Sequence, residues 1–184
     1  MRKQLRPTDV KRLNRTWRRA TEGRLALIVE SVTSPFNIGS IFRTAAAFGV
    51  ETVWLAGNAT PPSNPKAQKT ALGTDRLVAW HEPVPGAEAV RAAKDDGFTV
   101  VAVELTADAV PLHEAKLTGD VCLVVGGEDH GCSPAILEAA DAVAYIPQVG
   151  RVGSLNVAVA AALAVAEARR QEWSAGPPPS DGVS

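Results

Sequence analysis

The chain has 184 residues, of which 46% are hydrophobic and 21% charged, with a formal net charge of −1 at pH 7; this fits one soluble globular domain with a single core and excludes a low-hydrophobicity disordered chain. The near-neutral total hides an asymmetry: residues 1–24 hold nine Lys or Arg and two acids, the remainder ten basic and eighteen acidic residues, so a head of +7 precedes a body of −8. That split excludes a generally basic body and points to a polyanion-binding arm.

In chain order, Pro7, Thr8 and Asp9 predict a helix start, with Thr8 as cap. Val10, Leu13, Trp17 and Ala20 recur at helical spacing while Lys11, Arg12, Arg15, Arg18 and Arg19 cover the other faces. Guanidinium forks suit phosphate oxygens, so nucleic acid is the pointed reading; a solvated helix or an anionic membrane surface also satisfies this composition. Leu25 to Glu30 reads as a buried strand of a parallel sheet. A helix from near Asn37 to Gly49 follows, and apolar Ile41, Phe42 and Ala45 to Ala47 place Arg43 at a packed edge. Glu51 to Leu55 is a second strand, Gly57 to Lys66 a proline-bearing surface loop, Lys66 to Thr74 a short helix, and Arg76 to Trp80 a strand. Then come a helix over Gly86 to Asp96, strands over Phe98 to Leu105 and Asp120 to Val125, and a helix begun by Ser133 and Pro134. Ala142 to Ile146 is the last strand. Beyond it a loop with two glycines leads to a final helix, Ser154 to about Trp173, with Ser154 as cap. Its run Val157 to Ala166 is too short to span a bilayer and reads as a fully buried helix. Ser174 to Ser184, with three consecutive prolines, reads as disordered. The expected organisation is a basic extension over 1–24, a domain over 25–173 and a tail over 174–184.

Strands alternating with helices predict an α/β domain around a mostly parallel sheet flanked by helices. Such sheets bind ligands in loops beyond the carboxyl ends of their strands, where the glycine loops Gly126 to Gly131 and Gly150 to Gly153 fall. No Gly-x-Gly-x-x-Gly follows the first strand, which counts against a nucleotide-linked oxidoreductase. Cys122 and Cys132 have no metal-ligand spacing, so no metal is expected. With no secretory h-region in the N-terminal stretch, a reduced, cytoplasmic location is the simplest expectation.

Three stretches carry a more specific signal. Asn37-Ile38-Gly39-Ser40-Ile41-Phe42-Arg43-Thr44-Ala45, Gly126-Gly127-Glu128-Asp129-His130-Gly131, and Ile146-Pro147-Gln148-Val149-Gly150 followed by Ser154-Leu155-Asn156-Val157 resemble, in order and spacing, the motifs of the SpoU/TrmH branch of the SPOUT RNA methyltransferases. The resemblance runs from about Leu25 to Trp173. Gln148 departs from it, since many members carry Met there. What the resemblance implies is a deep C-terminal trefoil knot, a homodimer joined through the C-terminal helix, and transfer of a methyl group from S-adenosyl-L-methionine to a ribose 2′-oxygen of structured RNA.

By the same resemblance, Gly126, Ile146 and Leu155 match positions whose backbone cradles the adenosine, with Val103 and Leu105 at a neighbouring strand end as further candidates. Arg43, Asn37, Glu128, Ser154 and Asn156 match the catalytic positions. A guanidinium stays charged and is unsuited to act as a free base, so Arg43 is expected to grip the target phosphate, with Glu128 and Asn156 holding the loops and Ser154 and Asn37 closer to ribose and cofactor. The short arm and the Leu105 to Leu112 region resemble the tRNA D-loop guanosine enzymes and favour tRNA. An rRNA enzyme and a non-catalytic RNA-binding relative are the alternatives.

Overall fold

The computed structural model describes residues 3–175; apart from Ser174 and Ala175, the proline-rich tail expected over 174–184 lies outside the described residues. Seven strands form one sheet: β1 (Leu25–Glu30), β2 (Thr52–Ala56), β3 (Ala79–Val84), β4 (Thr99–Val103), β5 (Val110–Pro111), β6 (Val121–Val125) and β7 (Ala142–Tyr145). Their spatial order is β3-β2-β1-β6-β4-β7-β5 and every pairing is parallel. Among the described residues, six α-helices accompany them: α1 (Pro7–Arg19), α2 (Pro35–Phe48), α3 (Pro65–Ala71), α4 (Gly86–Asp95), α5 (Pro134–Ala139) and α6 (Val157–Ser174).

The apolar runs are continuous because β1, β2 and β6 are covered on both faces. Alternate residues divide between two layers. Leu25, Leu27, Val29, Leu123 and Val125 pack with Ile38, Ile41 and Phe42 of α2 and Ala161, Ala164 and Val165 of α6. Ala26, Ile28, Cys122 and Val124 pack on the other side with Ala89, Val90 and Ala93 of α4 and Ile136 of α5. The period of two along each strand assigns every side chain to its layer.

Several boundaries differ from the sequence expectation. α1 begins at Pro7 with Arg6 at the N-cap position, and Thr8 lies inside its first turn. α2 begins at Pro35, where the Ser34 hydroxyl accepts from the Asn37 N–H, so Asn37 sits in the first turn instead of opening the helix. The segment expected as a strand from Arg76 becomes a 3-10 turn at Thr74–Arg76, and β3 starts at Ala79. α6 is capped by Asn156 and not by Ser154; Asn156 Oδ1 accepts from the N–H groups of Ala158 at 2.9 Å and Val159 at 3.3 Å. Nor is α6 buried all round, since Val159 and Leu163, one turn apart, are 48% and 44% exposed. The expected Ser133 cap and Pro134 start of α5 are present, with Ser133 Oγ accepting from the Ile136 N–H.

Gly39 has a packing reason. α3 crosses α2 so closely that a Cβ at Gly39 would stand 2.5 Å from the Ala67 carbonyl oxygen and 2.6 Å from Thr70 Cβ. Any larger residue would push α3, with Lys66 and Lys69, off the helix that carries Asn37 and Arg43.

Candidate active site

Loops leaving the carboxyl ends of β4, β6 and β7 enclose a cleft of about 900 Å³. It lies over the neighbouring strands β6, β4 and β7, beyond their carboxyl ends, the side on which open parallel sheets hold ligands. Val103, Leu105, Gly126, Ile146 and Leu155 all line this cleft, as do Glu128 and Ser154. The loop after β6 approaches its surroundings without room for side chains: a Cβ on Gly127 would stand 2.6 Å from the Ser31 carbonyl oxygen. The loop after β7 leaves its backbone unused. Among the described residues, no hydrogen bond within the chain is made by the backbone N–H or C=O groups of residues 146–155. Free donors and acceptors along a cleft wall are suited to reading the edge of a flat heterocycle.

A polar chain of fixed direction joins the first turn of α2, the loop after β6 and the end of the loop after β7. Asn37 Nδ2 donates to Glu128 Oε1 at 2.6 Å, Asn156 Nδ2 donates to Asn37 Oδ1 at 3.1 Å, and Asn156 Oδ1 accepts from the first turn of α6. A carboxylate offers only acceptors, which turns the Asn37 amide group toward it; the remaining Asn37 oxygen then requires the Asn156 amide, and the remaining Asn156 oxygen faces the helix. Three residues separated by 91 and 119 positions in sequence thus form one unit.

Arg43 is not part of that unit. It is exposed on α2, outside the cleft lining, and makes no hydrogen bond or ion pair among the described residues; its apolar neighbours Ile41 and Phe42 point into the core on the opposite face. The expectation of a packed edge is corrected to an exposed face, because a helix of period 3.6 turns successive residues apart. Ser154 lines the cleft, exposed, but caps nothing. Lys11, Arg12, Arg15, Arg18 and Arg19 are all exposed on α1, away from the cleft.

Two glutamates escaped the sequence reading. Glu104 lines the cleft; its Oε2 accepts from the Cys132 N–H at 2.9 Å and its Oε1 from the Leu105 N–H at 2.8 Å. Glu30, 5% exposed, accepts from the Ser133 N–H at 2.7 Å. Each carboxylate clamps the segment between the β6 loop and α5. The available signal was a Glu closing an apolar strand run, Leu-Ile-Val-Glu and Val-Ala-Val-Glu. Cys132 is inert: burial, with Glu104 and Glu30 beside it, pushes its thiol up to about 12.

Residues 24–166 match the SpoU rRNA Methylase family. The chain is 37% identical over 154 residues to the tRNA (guanosine(18)-2′-O)-methyltransferase of Thermus thermophilus, covering 83% of this chain and 77% of that protein. It is 36% identical over 148 residues to the 23S rRNA (guanosine-2′-O-)-methyltransferase RlmB of Acinetobacter baylyi, covering 80% and 60%. The crystal structure of an AdoMet-bound rRNA methyltransferase from Sinorhizobium meliloti superposes with a TM-score of 0.76 at 31% identity, covering 83% of this chain and 58% of that one. The chain therefore spans about three-fifths of the length of the rRNA enzymes it matches.

Proposed function

The chain belongs to the SpoU rRNA Methylase family, and on that premise we propose that it is an S-adenosylmethionine-dependent RNA ribose 2′-O-methyltransferase that acts on tRNA. The observation that carries the reading is the Asn37–Glu128–Asn156 chain set against a cleft walled by unpaired backbone groups. The donor set fits the cofactor: the free N–H and C=O groups of residues 146–155 would hold the adenine edge, Gly126 and Leu155 would flank the adenosine, and Glu104, Glu128 and Asp129 bring carboxylates to a cleft that takes a cationic sulfonium. When bound, S-adenosylmethionine supplies an electrophilic methyl group.

The remaining work falls to residues of this chain. A ribose hydroxyl is a weak nucleophile while protonated, so holding it in line with the methyl carbon and relieving it of its proton govern the rate. Asn37 and Glu128 fix the loop wall; Ser154, exposed in the cleft, is placed to donate to or accept from the ribose. Arg43 stands free on its helix face to pair with the phosphate of the target nucleotide, lowering the cost of the developing alkoxide, with a phosphate oxygen or water taking the proton.

Support for tRNA is the 37% identity to the tRNA (guanosine(18)-2′-O)-methyltransferase over 83% of this chain, together with the resemblance of the Leu105 to Leu112 region to the tRNA D-loop guanosine enzymes. The proposal includes cytoplasmic action, a homodimer seated on the exposed Val159–Leu163 stripe of α6, and threading of the post-β7 segment as a trefoil knot. No helix among the described residues is long and apolar enough to cross a membrane. The test is incubation with labelled S-adenosylmethionine and, separately, unmodified tRNA and rRNA, followed by nucleoside analysis. A 2′-O-methylated nucleoside from tRNA alone is expected. Label in rRNA alone would keep the chemistry and overturn the substrate, and cofactor binding without label in either would overturn both substrates.

A further inference from the structure

α6 connects the cleft to the basic arm, and it holds them apart. Its first turn belongs to the cleft, with Asn156 as cap and Val157 and Ala160 in the wall. Its last turns hold the arm. Trp173 Nε1 donates to Thr21 Oγ1 at 2.9 Å, whose hydroxyl donates to the Trp17 carbonyl at 2.8 Å, and the two indole rings lie 4.9 Å apart. Glu172 Oε1 accepts from the N–H groups of Glu22 and Gly23, each at 2.7 Å, and Arg169 Nη1 donates to the Gly23 carbonyl at 2.8 Å. The seventeen steps from Asn156 to Trp173 amount to roughly 25 Å at a rise of about 1.5 Å. β1 provides an independent ruler: it leaves the arm at Leu25 and reaches the cleft side at Glu30, roughly 17 to 20 Å later at about 3.3 Å per residue.

Resting on the methyltransferase reading, we infer that α1 is a remote RNA-contact surface that grips phosphates roughly 20 to 25 Å from the ribose methylated in the same protomer. The substrate is accordingly an RNA whose own fold fixes that separation. Lys11, Arg12, Arg15, Arg18 and Arg19 of α1 are all exposed, and none of these five forms an ion pair among the described residues. They are thus available for counterion-releasing phosphate contacts. A stacked strand advances about 3.4 Å per nucleotide, so the gap corresponds to about seven stacked nucleotides. A flexible strand loses entropy when held at both ends, whereas a prefolded RNA has already met that cost. Arg169, Glu172, Thr21 and Trp173 are positioning residues that make the separation rigid.

The test tethers an iron–EDTA cleavage reagent to Arg15→Cys and maps the cuts on an unmodified tRNA transcript, with the methylated nucleotide mapped using the unlabelled protein. Native Cys122 and Cys132 are 0% and 5% exposed and do not compete for the reagent. Cuts centred about seven stacked nucleotides' distance from the methylated ribose are expected. Cuts at its immediate neighbours would overturn the inference and place a partner's arm at the cleft. Independently, Arg12, Arg15 and Arg19 replaced together by Gln should raise KM for folded RNA about ten-fold or more with a much smaller change in kcat; an equal loss confined to kcat would overturn it. Absence of methyl transfer to any RNA by the unlabelled protein would overturn the methyltransferase reading, whereas methylation without cuts would overturn the arm's role alone.

Discussion

Two substitutions at Asn156 separate the two jobs this side chain performs. Its Oδ1 caps α6 through the N–H groups of Ala158 and Val159, while its Nδ2 donates to Asn37 at 3.1 Å. Asn156→Ser keeps an oxygen suited to capping but is too short to reach Asn37; Asn156→Ala removes both. Loss of a cap costs about 1 kcal/mol, which lowers the melting temperature by about 2–4 °C in a domain of this size. Alanine should melt lower than serine by that amount. Loss of the amide–amide bond, worth about 0.5–1.5 kcal/mol net, is common to both and frees Asn37 to turn away from Glu128. If that bond orders the cleft, kcat/KM falls about 2- to 10-fold in both variants. Thermal denaturation and single-turnover methyl transfer are the assays. Wild-type kcat/KM in the serine variant would refute the claim that the Asn37–Asn156 link organises the site.

Further outcomes follow from single residues. Arg43→Lys keeps the charge and loses the bidentate fork, so turnover should fall at least about ten-fold with cofactor affinity unchanged; near-normal turnover would dismiss the phosphate-gripping role. Arg169 is 4% exposed and donates to Phe48, Gly49 and Gly23 carbonyls and to Glu172; Arg169→Met should cost about 3 kcal/mol in denaturant unfolding, because it leaves a largely buried carboxylate and three carbonyls short of a donor. Thr52, 5% exposed, has a buried hydroxyl with no partner among the described residues, so Thr52→Val should stabilise by about 1 kcal/mol; a loss of stability would show that the hydroxyl is satisfied. The Arg24 hydrogen bond holds the Glu51 carboxyl below its ordinary value of 4.5. A group lowered on folding stabilises above the unfolded value and loses that contribution as pH falls through the folded one, so Glu51→Gln should lower stability at neutral pH and flatten the loss of stability below pH 4.5, the two variants converging in acid.

What the amino-acid order determined by itself was local and periodic. The continuous apolar runs of β1 and β6, the Ser133–Pro134 start of α5 and the Gly49 end of α2 were legible because each depends on neighbours a few residues away. The three motifs also located the cleft-lining residues Gly126, Ile146 and Leu155. Other features required the folded chain. Ser154 and Asn156 are equally good caps in sequence, and only the position of Asn37 on α2 selects Asn156. Arg43 looked packed because its sequence neighbours are apolar, yet the sheet takes the opposite face of α2. Glu30 and Glu104 became clamps only when β1 and β4 brought them beside backbone N–H groups 103 and 28 positions away. The separation of arm from cleft belongs wholly to the tertiary structure. Propensity, capping and side-chain period act over one or two turns, whereas the distance between Trp17 and Asn37 is set by a helix and a strand running through the core between them.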